Sequence, residues 1–262
     1  MTDGPLKSWL ERDEQILRLQ LAKPKANIID AAMIDALSGA LESHTTDLRM
    51  LAVVLDAEGP NFSFGASIEE HLPGQCAGML KKLHALITQM IEYPVPIIAA
   101  VHGQCLGGGL EVACASSHII TAPDTSLGQP EISLAVFAPA ASCLLPERVG
   151  QSQAEMLLLS GQSVAAKRAR QMRLVDKVCD DPTEAALAWI GKSITGKSAS
   201  SLRIAITAAR HDYVARIKSK LASVEAMYLE ELMPTNDAVE GLNAFLEKRK
   251  PVWENAATGA DK

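Results

Sequence analysis

Aromatic side chains are scarce: Phe, Trp and Tyr together make up 4% of the 262 residues. The apolar interior must therefore be assembled from Leu, Ile, Val, Ala and Met. No run of 18 apolar residues occurs, so no membrane-spanning helix is expected, and the first fifteen residues lack the apolar stretch of a secretion signal. The five cysteines (Cys76, Cys105, Cys114, Cys143 and Cys179) are odd in number and never spaced C-x-x-C. That speaks against a disulfide framework or a structural zinc site and suits a reducing, cytoplasmic setting. The six histidines form no H-E-x-x-H spacing, and no metal site is expected. A formal net charge of −6 gives no basic excess for a nucleic-acid partner.

What is present is a long alternation of strand and helix patterns. Alternating apolar residues predict a strand over 14–22, followed by a helix from 31 to 41 behind an Asp30 cap. A buried-type strand is expected over 50–57, a helix over 77–91 and a strand over 97–101. A glycine loop, a helix through 115 and a strand over 118–122 come next. Such alternation implies crossover units and a mostly parallel sheet. Beyond Pro139 the pattern turns helical, with segments expected over 139–149, 152–159, 165–172, 182–194, 200–215, 219–230 and 236–248. The fold class is α/β, with an α/β core over 1–197 and a helical region over 198–262.

The stretch "HGQCLGGGLEVAC", from His102 to Cys114, sets three glycines between a strand and a helix. Glycines there either supply a tight turn or bare backbone N–H groups that face something negative at a helix start. The loop is not followed by the Gly-Lys-Ser/Thr of a phosphate loop, and it does not match G-x-G-x-x-G, which counts against a Rossmann dehydrogenase. A developing oxyanion on a carbonyl is the other candidate, and it needs two donors. A second glycine turn, "NFSFGASIEEHLP" from Asn61 to Pro73, follows the preceding strand and carries Ser67 and Glu70 at capping-box spacing. Two carboxylates complete the set. Glu111 lies in the first helical turn after the glycines, where it could merely complement the helix dipole. Glu131 follows Gln129-Pro130, a pair expected to hold the backbone extended, in "SLGQPEISL". Near one oxyanion site, two carboxyl groups could divide general-acid and general-base work.

These motifs, with "GLNAFLEKRKPVW" near the C-terminus, resemble the enoyl-CoA hydratase/isomerase superfamily over about Glu14 to Trp253. The resemblance implies the crotonase fold: repeated ββα units, a mostly parallel sheet and a helical C-terminal region serving oligomerisation and covering the CoA site. It places the oxyanion-hole amides at Ala66 and Gly108 and the catalytic carboxyls at Glu111 and Glu131. Isomerases of the family usually keep one of that pair, so holding both favours hydration. Phe64, Ser67, His71, Phe137 and Lys248 fall at positions expected near the substrate. The implied partner is an acyl-CoA thioester, with no cofactor beyond the CoA of the substrate, no nucleic acid and no membrane, and the assembly a homotrimer or homohexamer. Two departures stand out: Ser67 replaces the family's usual Asp, and "VFAPAAS" replaces a glycine-rich stretch after the second glutamate. Both are most similar to the family's dienoyl-CoA hydratase branch, which acts on a cyclic dienoyl thioester in anaerobic aromatic-ring degradation. An enoyl-CoA isomerase, a short-chain aliphatic hydratase and a non-catalytic CoA-binding homologue stand as alternatives.

Overall fold

The computed structural model describes residues 4–255. The elements run β1 (Leu6–Glu11), β2 (Ile16–Leu21), α1 (Ala31–His44), β3 (Ala52–Ala57), α2 (Cys76–Glu92), β4 (Ile97–Val101), β5 (Gln104–Leu106) and α3 (Gly108–Cys114). They continue with β6 (His118–Thr121), β7 (Ser126–Gly128), α4 (Pro139–Val149), α5 (Gln151–Ser160), β8 (Val164–Ala165), α6 (Ala166–Gln171) and β9 (Lys177–Val178). The chain closes with α7 (Pro182–Ser193), α8 (Ala199–Ala226) and α9 (Asn236–Leu246).

Six strands form the main sheet in the order β1-β2-β3-β4-β6-β9, parallel except for the β1–β2 hairpin. Side chains along β3 and β4 alternate between two cores, as the pleat requires. Val53, Leu55, Ile97, Ala99 and Val101 face the larger core with α1, α2 and α3. Ala52, Val54, Ile98 and Ala100 face a smaller one closed by Ala186, Leu187 and Ile190 of α7. With both faces covered, these strands are continuous apolar runs in the sequence.

A second sheet, β5-β7-β8, carries the glycine loop. The orders β1–β2–α1, β4–β5–α3 and β6–β7–α4 repeat a strand–strand–helix unit. After β3 the second strand is replaced by an irregular segment around 61–66, tied in by parallel bridges of Ser63 with Cys105 and Ala66 with Ile29.

Several expectations change in detail. β1 carries no clear pattern because it is an edge strand with three consecutive exposed residues. The helix expected after Ser67 is only a 3₁₀ turn, Glu69–His71. Ser67 Oγ does accept from the Glu70 amide at 3.4 Å, but the Glu70 carboxylate reaches across to the Ala31 amide of α1 at 3.2 Å. Gln129 is extended (φ −121°, ψ 84°), yet Pro130 starts a 3₁₀ turn, Pro130–Leu134, that contains Glu131. The two helices expected over 200–230 are one, α8, because Ile217, Leu221 and Val224 continue a single buried stripe through the anticipated break. A π-helical turn, Met227–Leu232, follows it. The C-terminal helix stops at Leu246, and residues 256–262 of the helical region lie outside the described residues. No helix among the described residues is long and apolar enough to cross a membrane.

Candidate active site

Backbone hydrogen bonds zip the two glycine turns together. Phe62 N–H donates to His102 O and Ser63 N–H to Gln104 O, each at 2.9 Å, and Leu106 N–H donates to Ser63 O at 3.0 Å. Asn61 adds a side-chain tie, its Oδ1 accepting from the Gln104 amide at 3.0 Å. The pairing carries Gly65-Ala66 onto Gly107-Gly108 so closely that a Cβ on Gly108 would stand 3.1 Å from Ala66 N. Neither the Ala66 nor the Gly108 N–H donates to any acceptor among the described residues. Gly108 opens α3, where first-turn amides have no acceptor within the helix and the dipole favours negative charge.

The two glutamates come to the same place from different elements. Glu111 projects from α3 and is buried, with Oε1 accepting from the Ala141 amide at 2.8 Å. That amide belongs to the first turn of α4. Glu131 is half-buried in its 3₁₀ turn and lies against Gly107, whose Cβ, if present, would fall 2.5 Å from Glu131 Oε1. Gly107 also has φ +50° and ψ −129°, a conformation that a side chain would disfavour. Burial pushes the Glu111 carboxyl up to about 7, against the lowering effect of the α4 amides. Burial, then repulsion from Glu111, pushes Glu131 up to about 8. Near pH 7 such a pair is poised to hold and exchange protons.

The remaining expected residues separate. A cavity of about 660 Å³ opens beside the turns, lined by Ile28, Phe64, Ala66, Ser67, Pro130 and Arg249 among others. Phe64 and Ser67 thus lie on its wall. His71 sits just beyond, its Nδ1–H donating to Ser67 O at 2.6 Å, with burial holding its pKa below the usual value. Phe137 lies away from this cavity, edge-on to Tyr228. Lys248 is exposed at φ +55° in the turn after α9 and does not line the cavity, whereas its neighbour Arg249 does. No cluster of His, Cys, Asp or Glu suited to a metal ion occurs among the described residues.

One residue beside the carboxyls is missing from the sequence reading of the site. Gln129 is buried, and with its amide nitrogen turned toward Glu131 it donates to both carboxylate oxygens at 3.0 and 3.1 Å. Its adjacency to Glu131 in "GQPE" was the available signal. Arg249 lies in "EKRKPVW", one residue beyond Lys248, and only the tertiary packing of the segment after α9 shows that it, and not Lys248, lines the cavity.

A parallel α/β sheet presenting two unpaired amides beside two proton-holding carboxyls is the architecture of an enzyme that polarises a carbonyl and moves protons. The chain belongs to the enoyl-CoA hydratase/isomerase family, whose model matches residues 11–256. Among relatives, a cyclohexa-1,5-dienecarbonyl-CoA hydratase of Thauera aromatica is 61% identical, covering 96% of this chain and 98% of the relative. A probable enoyl-CoA hydratase of Bacillus subtilis is 34% identical, covering 92% and 96%. The crystal structure of an enoyl-CoA hydratase/isomerase from Pseudoalteromonas atlantica superposes with a TM-score of 0.83 over 95% of this chain and all of that one. At 23% identity it supports the fold alone.

Proposed function

We propose that this protein is a hydro-lyase that adds water to the conjugated alkene of cyclohexa-1,5-diene-1-carbonyl-CoA. The carrying observation is the pairing of Glu111 and Glu131, both with raised pKa values, beside the free Ala66 and Gly108 amides. The identity to the Thauera hydratase supports the cyclic substrate.

In this reading the two amide N–H groups donate to the thioester oxygen as it gains negative charge. One such donor lowers the barrier by roughly 3–4 kcal/mol in comparable oxyanion holes. The ionised carboxylate takes a proton from water while the water oxygen bonds to a ring carbon. The protonated carboxyl gives its proton to another ring carbon, so the sum is one water added and no electron transferred. The scheme calls for no metal or redox cofactor. Phe64 and Ser67 line the path for the CoA arm, Arg249 lies on the same wall with its guanidinium paired to Glu240, and His71 and Phe137 stand behind that wall, the one bonded to Ser67 and the other packed on Tyr228.

We further propose that the region 198–262 covers the CoA site and assembles a homotrimer or homohexamer. Exposed Phe245, Val252 and Trp253 support this assembly. Five free cysteines, four of them buried, are in keeping with a cytoplasmic location.

The test is turnover by the purified protein of the cyclic dienoyl-CoA against crotonyl-CoA with nothing else added. Faster hydration of the cyclic thioester is expected. A preference for crotonyl-CoA would overturn the substrate assignment.

A further inference from the structure

Tyr228 is fully buried, and its hydroxyl has no hydrogen-bond partner among the described residues. Buried polar groups are nearly always satisfied, so an unpaired hydroxyl calls for an explanation. Packing does not supply one. The ring meets Phe137 edge to face, centroids 5.3 Å apart at 68°, and a phenylalanine would make the same contact. Phe137 lies in the segment between Glu131 and Ala141, whose amide holds Glu111. One loop therefore joins the Tyr228 ring to both carboxyl positions. Tyr228 also sits in the π-helical turn, closed by an i to i+5 bond from Met233 N–H to Tyr228 O at 2.9 Å. Such turns are rare and recur at functional sites. Burial, with the nearby Cys76, Glu131 and Glu111, holds the phenol well above its usual pKa, so it remains a neutral donor.

We propose that the Tyr228 hydroxyl is a substrate-binding donor for the oxygen that is added to the ring: the water before addition and the product hydroxyl after it. This rests on the hydratase reading above. The phenol keeps its proton throughout. The proton taken from water goes to a carboxylate, and the one delivered to carbon comes from a carboxyl. Tyr228 orients the oxygen between them.

The decisive variant is Tyr228→Phe in the full chain. Wild type should bind a hydroxylated ring CoA thioester more tightly than the same thioester without the hydroxyl, and Tyr228→Phe should erase that difference. With the cyclic dienoyl-CoA, kcat should fall about tenfold or more, the worth of one hydrogen bond, with KM little changed. Tm should stay level or rise, because an unsatisfied buried hydroxyl is removed. Wild-type turnover and an undiminished binding difference would overturn the proposal. So would a fall in Tm, which marks the hydroxyl as structural. If wild type itself ignores the cyclic dienoyl-CoA, the substrate assignment fails instead, and the binding comparison still decides the role of Tyr228.

Discussion

Oε1 of Glu111 accepts a 2.8 Å hydrogen bond from the Ala141 amide, in the first turn of α4. Two opposed effects therefore act on one carboxyl. The amides of a helix start favour the anion, whereas burial, which leaves Glu111 only 3% exposed, disfavours it. Enclosure wins, and it couples the site to stability.

The folded value of about 7 lies above the ordinary carboxyl value of 4.5, so around neutral pH the folded state keeps a proton on Glu111 that the unfolded chain has lost. The stability associated with that proton is complete below the unfolded value and drains away as pH rises through the folded one. Wild type should therefore lose on the order of 3 kcal/mol between pH 4 and pH 8 from this group. Glu111→Gln keeps an acceptor for the Ala141 amide and cannot ionise. Urea unfolding at pH 5 and pH 8 should show a shallower decline for the variant, and parallel declines would contradict the raised value.

Catalysis should follow the same pair. With Glu111 near 7 and Glu131 near 8, the dyad holds one proton between those values, which gives it one acid and one base. A bell-shaped profile of kcat/KM peaking between them is expected. Glu111→Gln and Glu131→Gln should each cost roughly 10²-fold or more in kcat, with binding of a non-reactive acyl-CoA preserved. Near-wild-type rates in both variants would rule out the acid–base pair.

Legibility followed periodicity. β3 and β4 were readable because both faces of the sheet are buried, and α2 because its nine buried residues keep helical spacing. Glu111 and Glu131 were readable as members of motifs. Their protonation was not, since it depends on enclosure by α4 and on each other. Glu70 shows how a local signal misleads: spaced to box Ser67, it caps α1 instead. The run Gly191 to Ser198, "GKSITGKS", matches a phosphate-loop pattern letter by letter. In the fold it ends α7 and caps α8 through Ser198, with no strand before it to form a cradle.

Gly107 should tolerate no side chain. A methyl there would approach Glu131 Oε1 to 2.5 Å and would have to adopt φ +50°. Gly107→Ala should lower stability by about 1–2 kcal/mol from backbone strain and reduce kcat at least tenfold by displacing the carboxyl. Thermal unfolding and steady-state kinetics report the two effects separately. A variant with full kcat would show that Glu131 does not need its position against this loop.

In the proposed mechanism Gln129 acts through Glu131, as a positioning residue. Its amide nitrogen reaches both carboxylate oxygens, at 3.0 and 3.1 Å, and a donor shared between them favours the ionised form and fixes its plane. Gln129→Met fills a similar buried volume and removes the donor. The Glu131 carboxyl should then hold its proton to higher pH, moving the alkaline limb of the kcat/KM profile upward while kcat at pH 7 falls about tenfold. A purely structural role for Gln129 would lower stability without moving that limb. The displacement of the limb, measured at matched protein stability, is therefore the result that separates the two.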